Sequence, residues 1–168
     1  MRYTYLVIAA ALLLPGCGRL VKVSDQEQMI RQIYTVELPK NDIYDRALEW
    51  CATKLASVND DIVVKDREKG KIIGKGTGKY SEYFDFLVDR QFSYNITIDI
   101  KDGRYRVTCD NFVVYYDERQ IKSSKAEFKF EIGKIKKQID KLMADLRDYV
   151  SKGTTEKEKE TIKKEEEW

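Results

Sequence analysis

Three cysteines, at positions 17, 51 and 109, are the residues of this chain best suited to covalent chemistry, and the chain has no histidine to work with them. That absence removes the commonest general base and the commonest metal ligand together. Two thiols without histidine also make a poor zinc site, so no metal, no cofactor and no catalytic residue is expected. The carboxylate pairs Asp60-Asp61 and Asp66 with Glu68 fall in turns, where acidic side chains serve the backbone. The run GKGTGKY, residues 74 to 80, has the look of a phosphate loop. A Walker loop needs glycine five residues before its Gly-Lys pair and Ser or Thr after it, and those positions hold Ile73 and Tyr80. Gly74, Gly76 and Gly78 instead share one face of a strand, where missing side chains let a helix approach or let the sheet coil.

The placement of Cys17 is more telling than its chemistry. Tyr5 to Leu14 reads YLVIAAALLL, which as a helix would span about 15 Å, half of a hydrocarbon core. That is too short to anchor the chain and is read as a signal peptide over residues 1–16. Leu14-Pro15-Gly16-Cys17 then resembles the lipobox of bacterial lipoproteins. The resemblance implies a diacylglyceryl group on the Cys17 thiol, cleavage just before it, and acylation of the new amine with a fatty acid such as palmitate. One acyl chain binds a bilayer reversibly and two hold it stably, so Cys17 is expected to be a membrane anchor at the head of a tether over residues 17–27. Gly18 differs from the aspartate that resembles an inner-membrane retention signal, so the expected location is the outer membrane, facing the periplasm.

Beyond the tether the chain is long enough for one core. Lys plus Arg number 31 against 29 acidic residues, so no strong overall field steers the chain toward a polyanion. Residues 152 to 168 are a lysine–glutamate run with Ile162 and Trp168 as its apolar members, too polar to fold alone, and read as a solvated or helical tail. The domain is therefore expected over residues 28–151.

Within it the periodicities alternate in kind. Ile30, Tyr34, Val36 and Leu38 share one face of an extended run interrupted by Gln32 and ended by Pro39. Asn41 or Asp42 can cap a helix whose stripe is Ile43, Ala47, Cys51, Leu55 and Val58, widened by Tyr44 and Leu48, with Trp50 and Lys54 at its edge. Ile62 and Val64 open a second strand, which turns near Gly70 into a third over Lys71 to Lys79. Phe92, Tyr94, Ile96, Ile98 and Ile100 then alternate with polar residues up to Asp102-Gly103, a favoured hairpin turn. Folding there sets Ile100 opposite Tyr105, Ile98 opposite Val107 and Ile96 opposite Cys109, with Asp99 facing Arg106 on the other side. Beyond it the alternation slips, which predicts a bulge at Asp110-Asn111 returning Phe112, Val114 and Tyr116 to the core. An amphipathic helix through Ile132, Ile135, Ile139, Leu142, Met143, Leu146, Tyr149 and Val150 closes the chain. The order strand, helix, four strands, helix gives an α+β two-layer sandwich, an antiparallel sheet with both helices on one face.

The stretches IYDRALEW, GKIIGKG and YNITIDIKDGRYRVT resemble a family of bacterial envelope lipoproteins, a domain-of-unknown-function family described as having a TATA-binding-protein-like fold. The resemblance runs from Tyr34 to Val107 and implies a fold without an assigned activity. Cys51 stands where a larger apolar residue is expected, and it faces the same core as Cys109. An oxidising compartment could bridge the two, although helix-to-sheet spacing leaves their Cα atoms near or beyond bridging distance. The alternative is two buried thiols acting as small hydrophobes.

The run YSEYFDFLV, residues 80 to 88, is too apolar for an ordinary connection. Either Tyr80, Tyr83, Phe84 and Phe86 fold over an open sheet end, or they form a contact patch for a partner or lipid surface. The exposed hairpin face, with Ser93, Asn95, Thr97, Asp99, Arg106, Thr108 and Asp110, is nearly neutral and lacks stacking aromatics, so nucleic acid is not expected as a partner. The functional expectation is a non-enzymatic binding or assembly module, anchored in the envelope and meeting an envelope protein. The alternatives are a carboxylate-based envelope hydrolase and a small-molecule sensor.

Overall fold

A computed structural model describes residues 21–55, 62–83, 87–117 and 119–152. Cys17, the signal segment, Val58, the Asp60-Asp61 pair, Phe84, Phe86 and the charged tail beyond Lys152 lie outside those residues.

The elements run β1 (Ile30–Thr35), α1 (Lys40–Lys54), β2 (Ile62–Asp66), β3 (Lys71–Tyr83), β4 (Leu87–Lys101), β5 (Arg104–Tyr115), β6 (Ser123–Lys125) and α2 (Lys129–Lys152). The sheet is antiparallel in the order β1-β5-β4-β3-β2, and β6 lies along the same edge of β5 as β1, further up the strand. Both helices cover one face, so the α+β sandwich holds, with one short strand more than expected. β6 is three polar residues joined to the sheet by backbone pairing, which leaves no alternation to read.

The Asp102-Gly103 hairpin has the expected register, with Ile100 opposite Tyr105, Ile98 opposite Val107, Ile96 opposite Cys109 and Asp99 opposite Arg106. The bulge also falls where the alternation slips. Asn111 takes a φ of 52°, the pairing jumps between Ser93 and Asn95, and Phe112 and Val114 turn into the core. Tyr116 ends half-exposed instead of buried.

Three further differences have physical causes. Pro39, not Asn41 or Asp42, occupies the N-cap of α1, and the Lys40 N–H is met from outside by Asp102 Oδ1 at 2.8 Å. Trp50 is fully buried rather than at the edge of the stripe, because α2 covers that flank and Asp145 accepts its indole N–H at 2.7 Å. Gln32 interrupts the apolar face of β1 yet is satisfied there, donating to Asp140 on α2 at 3.1 Å and accepting from the Tyr34 hydroxyl.

The glycine-rich stretch of β3 owes its composition to rings on the next strand. A Cβ on Gly76 would sit 2.4 Å from the Tyr94 ring, and one on Gly78 would sit 2.4 Å from the Phe92 ring. Tyr94 and Phe92 are the cross-strand partners of those glycines and pack with Tyr80 and Phe112 into an aromatic layer beneath the helices. The approach expected from a helix is thus made by neighbouring side chains.

Candidate functional site

The segment 80 to 88 is mostly not a connection. β3 continues through Tyr83 and β4 begins at Leu87, with Tyr80 opposite Arg90, Glu82 opposite Val88 and Tyr83 opposite Leu87. Alternation therefore sends Tyr80, Glu82 and Arg90 to the helix-covered face and Tyr83 and Leu87 to the open one. Tyr80 is buried, so it supports the hairpin from within, whereas Tyr83 and Leu87 are each 67% exposed.

Beneath this hairpin lies a polar cluster that no motif in the sequence announces. Glu82 and Glu131 are both buried. The Tyr116 hydroxyl donates to Glu131 Oε1 at 2.9 Å, and the Phe128 N–H donates to Glu131 Oε2 at 3.3 Å, tying the carboxylate to the start of α2. Arg90 sends Nη1 to the Tyr116 carbonyl at 3.1 Å, lays its guanidinium over the Tyr116 ring, and pairs with Glu82 at 3.8 Å. Glu82 Oε1 and Arg90 Nε find no hydrogen-bond partner among the described residues. Burial, reinforced by the charges of Glu131 and Glu82, pushes the Tyr80 hydroxyl well above its usual range. The local signal for this cluster is faint: charged residues in the inward phase of two strands.

A cavity of about 570 Å³ opens beside it, lined by Lys79, Leu87 to Gln91 and Tyr115 to Asp117. It reaches Arg90 and Tyr116 but neither buried glutamate; the carboxylates in its lining are Asp89 and Asp117. Among the described residues, no group of three His, Cys, Asp or Glu is placed to hold a metal ion. Cys51 and Cys109 are buried free thiols, so the bridge is not formed. Burial pushes the Cys51 thiol up to about 12 and raises Cys109 further, keeping both protonated and unreactive.

The open face of the sheet carries the outward-facing residues of the strands. Its hairpin portion alone is nearly neutral, but the flanking strands change its sign. Arg31, Lys71, Lys75, Lys79, Lys101, Arg104 and Arg106 share that face with Asp66, Asp89, Asp99 and Asp110. Asp99 is shared by Lys71 at 3.2 Å and Arg106 at 2.7 Å; against the opposing pull of burial, those hydrogen bonds hold its carboxyl below the usual range. No ion pair of Arg31, Lys75, Lys79, Lys101 or Arg104 occurs among the described residues. Ser93, Asn95, Thr97 and Thr108 occupy the centre, and Ile33, 67% exposed, sits on the β1 side.

A single antiparallel sheet, helices on one face and a bare opposite face define an α+β protein of the TATA-binding-protein type. The chain belongs to the family described as "Domain of unknown function (DUF4468) with TBP-like fold", which matches residues 31–115. It is similar to a DUF4468 family protein of Bacteroides ovatus, at 18% identity and a TM-score of 0.61 over 80% of this chain and 91% of the other. It is also similar to a TBP-like protein of Parabacteroides distasonis, at 18% identity and a TM-score of 0.59 over 73% and 91%. These likenesses establish the fold. No curated protein matches the chain.

Proposed function

We propose that the protein is a membrane-anchored envelope lipoprotein that works by contact, as a non-enzymatic binding or assembly module, and that its contact surface is the open face of the sheet. The observation that carries this reading is the set of cations on that face, Lys75 and Lys79 on β3 and Arg104 on β5, which form no ion pair among the described residues. Such a surface suits an acidic face of an envelope protein. A protein fits better than a nucleic acid, because Ser93, Asn95, Thr97 and Thr108 stand where a nucleic-acid-binding sheet places stacking aromatics.

The lipobox resemblance at Cys17 supports the anchor, and Gly18 supports the outer membrane over the inner one. A sensor between helices and sheet is disfavoured because Trp50, Phe92, Phe112, Ile135 and Met143 fill that space without exposure. A photo-crosslinking residue at Asn95 in living cells tests the proposal. It should trap a discrete protein adduct, and that adduct should disappear when Lys75 and Lys79 are both changed to Glu. No adduct at Asn95, together with turnover of an envelope substrate by the purified chain, would reverse the reading.

A further inference from the structure

Another cavity, of about 350 Å³, opens on the uncovered face of the sheet at its Asp102-Gly103 end. Ile33 on β1, Arg106 on β5 and Asp99 on β4 stand side by side across three strands. Arg104 and Lys101 form the next row toward the turn, and Lys69 joins them from the β2–β3 turn. The lining thus carries four cations and one carboxylate. The backbone beneath it is fixed. Asp102 Oδ1 accepts the Lys40 N–H at 2.8 Å, the Gly103 N–H donates to the Leu38 carbonyl at 3.1 Å, and the Ile100 N–H donates to the Gly70 carbonyl at 2.7 Å.

The charges of this lining are not equally engaged. Asp99 is shared by Lys71 and Arg106, and Lys69 reaches Asp66 at 3.1 Å. Lys101 and Arg104 form no ion pair among the described residues, and each is the other's cross-strand partner. Like charges set directly opposite on one face repel, so the hairpin gains no stability from this pairing. Asp102, between them in the sequence, turns to the Lys40 N–H and does not line the cavity. Two unanswered cations over a concave site focus positive potential into it, and a small group that answers both must bring two negative charges on one centre. A phosphomonoester brings about −1.5 to −2 near neutral pH, whereas a carboxylate or a phosphodiester brings one. The planar fork of arginine meets phosphate oxygens in pairs, and lysine adds a point charge. Ile33, 67% exposed on the β1 side, offers an apolar wall to the group the phosphate is esterified to.

We infer that this cavity binds a phosphomonoester, with the phosphate held by Arg104 and Lys101 and the organic group against Ile33. The site goes beyond the contact reading and does not depend on it or on the anchor. An adduct at Asn95 tests the contact, and a phosphate ester tests the cavity.

Titration calorimetry on the full chain in phosphatidylcholine vesicles tests this with phenyl phosphate and with phenyl sulfate, which has the same shape and a single negative charge. Phenyl phosphate should bind about tenfold more tightly or better. Arg104→Gln and Lys101→Gln should each weaken its binding about tenfold, the loss of one charge-assisted hydrogen-bond partner. Lys137→Gln, the same loss of charge at an exposed position on α2, should leave it unchanged. No binding of phenyl phosphate, equal affinity for the two esters, or a loss at Lys137→Gln as large as at Arg104→Gln overturns the site. Replacing part of the vesicle lipid with phosphatidic acid, against an equal share of phosphatidylglycerol, identifies the source of the phosphate. Blocking of phenyl phosphate by phosphatidic acid alone supports the site and assigns it a lipid headgroup, and binding unchanged by either lipid supports it and assigns a soluble ester. Blocking by both lipids alike would show attraction to negative charge in general and overturns it.

Discussion

The two ends of the sheet are built on opposite plans. At the Asp102-Gly103 end every neighbouring segment is stitched in. Asp102 caps α1, Gly103 exchanges backbone hydrogen bonds with Val36 and Leu38, the Ile100 N–H donates to the Gly70 carbonyl at 2.7 Å, and Lys40 Nζ reaches the Glu68 carbonyl. At the Tyr83-Leu87 end the strands run out beyond β5, apolar side chains face outward, and the polar groups behind them are incompletely met. One end is organised for stability. The other keeps exposed apolar surface and a buried charge pair that a merely stable domain would do better without.

The sharpest way to break this contrast is at Arg90. Arg90→Met leaves Glu82 buried without its cation and should cost about 3 kcal/mol in urea unfolding. The paired replacement Glu82→Leu with Arg90→Met should recover most of that loss or exceed wild-type stability. Recovery would show that the pair is kept for something other than folding, whereas a double variant as weak as the single one would make this end structural after all.

Next in size is Gly70→Ala at the stitched end. Gly70 has a φ of 63°, and an added Cβ would lie 2.4 Å from the Ile100 carbonyl oxygen, so the turn and its hydrogen bond must give way together. A loss of about 2–3 kcal/mol is expected from the same titration.

The core between the ends answers to alkali. Burial raises the folded-state pKa of Cys51 from 9.0 to about 12 and that of Cys109 as well. Above pH 9.0 the unfolded chain releases these protons while the folded chain holds them, so the contribution is complete below that value and is lost as pH climbs toward 12. Stability should fall by about 1.4 kcal/mol per pH unit for each thiol in that range, and Cys51→Ala should flatten the decline in melting temperature.

The smallest effect is expected at the open end. Leu87→Ser should move stability by less than about 0.5 kcal/mol, because the side chain is already in solvent. A larger loss in calorimetry would mean that Leu87 packs against the fold.

Legibility in the sequence divides along the same line. The stitched end is readable because its strands alternate cleanly about Asp102-Gly103, and even the Asn111 bulge announces itself as a slipped phase. The open end is not, because its inward positions carry Tyr80, Glu82 and Arg90 while its outward ones carry Tyr83 and Leu87, an inversion that looks like a greasy loop. A domain boundary at residue 28 falls too late for a related reason. Val21 to Val23 are held by backbone bonds to residues 127 and 129, a pairing that Lys22 and Ser24 do not advertise. The sign of the open face is hidden because it is assembled across strands, with β3 and β1 adding cations to a hairpin that is neutral alone.

The claim on which the account most depends is the attachment at Cys17, and intact-mass measurement of the chain extracted from bacterial membranes tests it directly. The account predicts a polypeptide that begins at Cys17 and carries the added mass of a diacylglyceryl group and a further fatty acid. A chain with a free Cys17 thiol, recovered from the soluble fraction, would contradict it.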